Sequence, residues 1–216
     1  REAVRVTADE AFCGKHGLLD ETLIVNPENK GIKNVVVAVY TGRGGSKLAG
    51  IEPRNQTLTL ANQNCRFEPR IVVAQAGDTL KISNPDSVGH NANLGFFENT
   101  PVNPLIPPGQ EIDVELEKPE PGLVNITCNI HPWMKAKMLV LDHPFGAVSD
   151  ENGEIVIKGI PVGEQVFRAN HEAGKIDEVT VDGKEEKWSR SRFELEIKPG
   201  MNDLGTVVIP KDSLSN

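Results

Sequence analysis

The 216-residue chain contains no apolar run approaching the ~20 residues that a membrane helix requires, so no membrane span is expected. Aromatic residues make up only 5% of it. A hydrophobic core must therefore be built mainly from valine, isoleucine and leucine, of which the β-branched pair favours strands. There is no basic surplus either: 23 Lys and Arg face 31 Asp and Glu, a formal net charge of −8. Nucleic acid is excluded as an expected partner, because nothing in that balance displaces counterions from phosphates. Low-complexity stretches and internal repeats are lacking. So is a recognisable signal peptide, and the abrupt opening at Arg1 is that expected of a processed chain whose export signal has been removed. Cysteine and histidine are scarce, at three and five residues, which makes their positions informative.

What is present reads as strand. Val35 to Tyr40 is a β-branched run ending in a glycine-rich turn, Thr41 to Gly45. Ile71 to Ala74 leads through the turn Ala76-Gly77-Asp78 to a second run, Thr79 to Ile82. Ile112, Val114 and Leu116 alternate with Asp113, Glu115 and Glu117, the period of a half-buried strand. Lys137 to Leu141 is another strand, while the Pro- and Asn-rich stretch from Glu98 to Gly109 reads as a long loop. Beyond His143-Pro144 the turns come closer together. Ser149 to Glu154 is a hairpin turn, followed by a strand at Ile155-Val156-Ile157. Further strands are expected at Gln165–Ala169, Glu178–Val181, Phe193–Ile197 and Thr206–Ile209, with turns at Asp182-Gly183 and Pro199-Gly200. This spacing indicates a second β-sandwich, and the fold class is all-β.

One stretch carries chemistry. Cys128-Asn129-Ile130-His131-Pro132-Trp133-Met134 places a thiolate, an imidazole and a thioether within seven residues. A second histidine, His90, lies upstream in Asn84-Pro85-Asp86-Ser87-Val88-Gly89-His90-Asn91. Two imidazoles and a thiolate in a plane, with a weak axial thioether, form the ligand set of a blue-copper electron-transfer site. Met134 alone would be an ordinary core side chain. The joint pattern of C-x2-H-x2-M between two strands, with a distant His-Asn after a turn, is hard to obtain by chance. His16, His143 and His171 fall outside it and read as surface or structural histidines.

The segment from about Arg66 to Asp142 resembles the cupredoxin (blue copper protein) family, in its amicyanin/plastocyanin-like form. The resemblance rests on Ala76-Gly77-Asp78-Thr79-Leu80 leading into a strand, on Asn84 six residues before His90-Asn91, and on the C-x2-H-P-aromatic-Met loop. It implies a Greek-key β-sandwich holding one type 1 copper, with His90, Cys128 and His131 as strong ligands and Met134 as the axial one. Asn91 would hydrogen-bond across to the Cys128 loop and stiffen it. His90 would be buried. His131 would present its ring edge at the surface as the electron port, framed by Pro132, Trp133, Pro85, Gly89, Leu94 and Phe96. Pro132 and Trp133 would dock redox proteins, cytochrome or dehydrogenase-like. Two positions depart from the family pattern: Ile126 stands where an aromatic is usual, and Trp133 replaces the more usual Phe.

A second resemblance covers about Phe145 to Ile209. The run Ser149-Asp150-Glu151-Asn152-Gly153-Glu154-Ile155-Val156-Ile157-Lys158-Gly159-Ile160-Pro161-Val162-Gly163 is similar to the carboxypeptidase regulatory-like (transthyretin-like) sandwich. That fold says little about activity. The expected organisation is a copper-binding domain over 52–143 and a second sandwich over 144–216, completed by strands from 1–51.

If Cys128 holds metal, Cys13 and Cys65 remain as an even pair. A disulfide between them would place the protein in the periplasm or outside the cell; two unrelated buried thiols are the other reading. An electron carrier rather than an enzyme is expected. Oxidases need extra histidines flanking the cysteine, and here Thr127 and Asn129 occupy those places. Copper storage or delivery is the alternative, with an oxidase component behind it.

Overall fold

The computed structural model describes residues 1–214. No helix among them is long and apolar enough to cross a membrane. The chain divides into two compact units, Arg1–Glu21 with Glu52–Pro144, and Thr22–Ile51 with the chain from Phe145 onward. Of the stretch 1–51, then, only 22–51 clusters with the second unit. Residues 1–21 cluster with the first, while the strand Val36–Val39 from this stretch lies in the second unit.

The first helix, α1, is a single turn, Glu10–Cys13, and β1 (Val36–Val39) belongs to the second unit. The first unit continues with β2 (Thr57–Gln63), β3 (Arg66–Glu68), β4 (Ile71–Gln75), β5 (Thr79–Ser83) and β6 (His90–Asn91). It closes with β7 (Asn93–Leu94), β8 (Leu105–Ile106), β9 (Glu111–Glu115), β10 (Val124–Thr127) and β11 (Lys135–Leu141). Two four-stranded sheets result, in the orders β4-β11-β10-β7 and β3-β2-β5-β9. The β2/β5 and β4/β11 pairs are parallel, the others in these sheets antiparallel. Alternate residues face inward: Leu60, Leu80 and Ile82 from one sheet meet Val124, Ile126 and Met138 from the other in one core. The Glu98–Gly109 stretch is not wholly loop, because β8 pairs with β6 and places Ile106 opposite His90.

The second unit adds β12 (Gly146–Val148), β13 (Gly163–Asn170), β14 (Glu178–Val181), β15 (Lys184–Lys187), β16 (Arg192–Ile197) and β17 (Val207–Val208). Its sheets are antiparallel, ordered β12-β1-β13-β16 and β15-β14-β17. Trp188 stacks on Phe193 at 4.2 Å between ring centroids, and Phe193 on Phe167 at 5.3 Å. The expected strand at Ile155–Ile157 does not form. Ile155 and Ile157 pack against the unit's hydrophobic clusters, but the segment joins no strand ladder.

Candidate metal centre

The antiparallel pairing of β10 with β11 sets Thr127 opposite Lys135, so residues 128–134 form a short hairpin loop. The loop is closed from within. The Cys128 N–H donates to the Met134 carbonyl at 3.2 Å, and the Met134 N–H to the His131 carbonyl at 2.8 Å. Cys128, His131 and Met134 are all buried. His90 arrives from β6, and the loop before it is fastened by Asn84. The Asn84 side-chain amide donates to the carbonyls of Val88 (2.9 Å) and Ile106 (2.7 Å).

These two elements bring three donors together. The Nδ1 atoms of His90 and His131 lie 2.9 Å apart, and Cys128 Sγ lies 3.7 Å from His131 Nδ1. The donor atoms of His90, Cys128 and His131 all fall within 4.8 Å of one another. Each imidazole has its other nitrogen on a carboxylate: His90 Nε2 to Asp86 Oδ2 at 3.0 Å, His131 Nε2 to Asp9 Oδ2 at 2.9 Å. A carboxylate accepts only, so Nε2 carries the proton in both rings and Nδ1 of a neutral ring presents a lone pair. Two ring nitrogens at that separation, beside a sulfur, can share a proton or can together take up a metal cation. Soft sulfur with imidazole nitrogen suits copper, and carboxylates on the outer nitrogens are the usual support of ligating histidines. The donor set fits the metal.

The electrostatics agree. Burial is the largest influence on the Cys128 thiol and resists its ionisation. Hydrogen bonds from His131, then His90, outweigh that and bring it down to about 6. Burial likewise works against a charged His131, but the Cys128 sulfur and then the Asp9 carboxylate overcome it, leaving His131 above its ordinary value. In metal-free protein the thiolate should therefore predominate at pH 7. Titrating its ultraviolet absorption should give a midpoint about 6, against ~8.5 for a free thiol. A midpoint of ~8 or higher would contradict this electrostatic picture.

Asn91 Oδ1 accepts from the Asn129 N–H at 2.8 Å and the Ile130 N–H at 3.3 Å, with Cys128 Sγ at 3.4 Å. Its amide donates to Asn103 Oδ1. Cys13 and Cys65 are joined by a disulfide across a sequence separation of 52. Cys65 also meets the site through its backbone: its N–H donates to Asp86 Oδ2 at 2.8 Å, and its carbonyl accepts from Trp133 Nε1 at 3.2 Å.

The expected electron port is not there. His131 is 0% exposed and its outer nitrogen is taken by Asp9, a residue of the N-terminal segment. Leu94 and Phe96 are buried as well, so they frame no surface. Pro132 is exposed and Trp133 half-buried, its indole N–H engaged rather than open. His143 and His171, expected as surface or structural histidines, are buried. Asp9 and Asp86 are the residues that sequence reasoning missed. Asp86 had a signal, four residues before His90 in the same turn. Asp9 had none, being 122 residues from its partner.

The chain matches no protein-family model and no curated protein. Among solved structures it is similar to a Cu-containing nitrite reductase from Thermus scotoductus, with 23% identity over 48% of this chain and a TM-score of 0.35. The match spans 25% of the reductase's own length. An oxidised amicyanin variant matches with 20% identity over 39% of this chain and 81% of its own, TM-score 0.35. A purple cupredoxin from Nitrosopumilus maritimus matches with 21% identity over 38% of this chain and 97% of its own, TM-score 0.32.

Proposed function

We infer that the first unit would hold one copper ion through His90, Cys128 and His131, with Met134 as a weaker fourth ligand, and that the protein carries electrons between redox partners. The observation that carries this reading is the convergence of a buried cysteine with two histidines whose outer nitrogens both rest on carboxylates. Copper bound there would supply one-electron chemistry between Cu(I) and Cu(II). The chain's part is to hold the donors still. Asn91 braces the Cys128 loop and Asn84 braces the His90 loop, and both braces are independent of charge. Rigid donors keep rearrangement small when the metal changes oxidation state.

Partners of the cytochrome or dehydrogenase-like kind would approach where the ligand loop reaches solvent, at Asn129, Ile130 and Pro132, all exposed. The disulfide supports an oxidising compartment, the periplasm or cell exterior. The second unit we read as a carboxypeptidase regulatory-like sandwich, on the residues from Ser149 to Gly163.

The test is the absorption spectrum of the oxidised, copper-loaded protein, which should show an intense thiolate-to-copper band in the visible. A copper-binding but colourless protein would favour storage or delivery instead. Met134→Gln should keep the colour and lower the reduction potential, since an amide oxygen favours Cu(II) more than a thioether does. An unchanged potential would remove Met134 from the ligand set.

A further inference from the structure

We propose that Asp9 is a positioning residue of the copper centre, closing the ring edge of His131 and setting the charge seen by the metal; this rests on the copper reading above. Four observations converge on it. The Asp9 carboxylate reaches His131 Nε2 at 2.9 Å, and the imidazole has no exposure left. Asp9 begins α1, where an Asp side chain ordinarily accepts a bond from an amide of the first turn. Here it makes no such bond; only the Asp9 backbone carbonyl serves the turn, accepting from Phe12 and Cys13. Asp9 also sits at φ 48°, ψ 41°, a left-handed conformation that aspartate and asparagine tolerate better than other side chains and that differs from the extended backbone of an ordinary cap. The carboxylate is engaged with the histidine and not with the local cap.

The fourth observation is the anchorage of the segment. Residues 1–21 fold back on themselves, with the Val4 N–H donating to the Leu18 carbonyl and the Asp20 N–H to that of Glu2. Glu21 pairs with Arg66 at 2.8 Å, and Cys13, four residues from Asp9, is bonded to Cys65. Cys65 in turn donates its N–H to Asp86, the carboxylate on His90. One covalent link thus ties together the supports of both histidines. Asp9 remains 42% exposed on its outer side, so the centre meets solvent there through a carboxylate and not an imidazole edge.

Two substitutions separate charge from hydrogen bond without disturbing the backbone, because Asn and Gly both accept a positive φ. Asp9→Asn keeps an acceptor for Nε2–H and removes the charge. Asp9→Gly removes both. In copper-loaded protein, both variants should raise the reduction potential, since an anion near the metal favours Cu(II). Asp9→Gly should in addition release copper to a chelator about tenfold more readily, the usual cost of losing a carboxylate behind a ligating histidine. Asp9→Asn should stay close to wild type in release. A merely structural role would change unfolding and leave the Asp9→Asn potential where it was. Unchanged potentials in both variants, with the wild type coloured, overturn the proposal and leave the copper reading intact. A wild type that shows no thiolate band overturns both.

Discussion

Cys128→Ser should extinguish the visible absorption of the copper-loaded protein. The two side chains differ by one atom, and the site is buried, so the variant should fold with the loop bonds of Cys128 and Met134 unchanged. What it loses is electronic. A serine hydroxyl stays protonated near neutrality, whereas the Cys128 thiol is down at about 6 and ionises in place. A hydroxyl is also hard where the thiolate is soft, so it gives no low-energy charge transfer and little affinity for Cu(I). Circular dichroism of the metal-free variant should match wild type, which assigns the loss of colour to the ligand. If the variant keeps a strong visible band, the thiolate is not the chromophore and the blue-copper assignment fails.

Removing the disulfide should have the largest effect on stability. Cys13 and Cys65 are fully buried, and their bridge closes a loop with a sequence separation of 52. In the chain-entropy model a constraint of that span stabilises the native state by about 4 kcal/mol. The double variant Cys13→Ala/Cys65→Ala leaves no buried hydroxyl unpaired, so its destabilisation reports the constraint and the lost sulfur packing. Denaturant unfolding of the metal-free protein should show the midpoint fall sharply, with loosened protection of the 1–21 segment in hydrogen exchange. A midpoint shift worth less than ~1 kcal/mol would mean that the segment is held by its other contacts alone. Thiol titration of denatured, unreduced wild type should find one reactive cysteine; three would refute the bridge.

The ligand loop was legible because its chemistry is local: donors within seven residues must meet whatever surrounds them. Strands with one buried face were legible for a related reason. Leu80 and Ile82 in β5 alternate with outward Thr79, Lys81 and Ser83, and burial leaves that period in the sequence. The same signal misleads at Ile155–Ile157, where alternate side chains are packed but the backbone finds no partner strand. It is silent at β15, whose four residues Lys184–Lys187 are all exposed. That strand exists because Asp182 and Gly183, both at positive φ, turn the chain back on β14. The closing of His131 was illegible for a stronger reason. It depends on a carboxylate from a segment with no strand period and no motif, brought into place by a disulfide 52 residues long.

That the three cysteines share one buried cluster has a consequence for how the protein is made. Cys65 and Cys128 both come within 4.8 Å of His90 ligand atoms, so the bridged sulfur and the free sulfur are neighbours in the finished fold. Among these three cysteines three single pairings are open. Only the one that spares Cys128 leaves the thiolate that the copper reading needs; either of the others consumes it. Production therefore turns on timing, with the Cys13–Cys65 bond formed before Cys128 meets an oxidant, or a disulfide isomerase at hand to reshuffle the error.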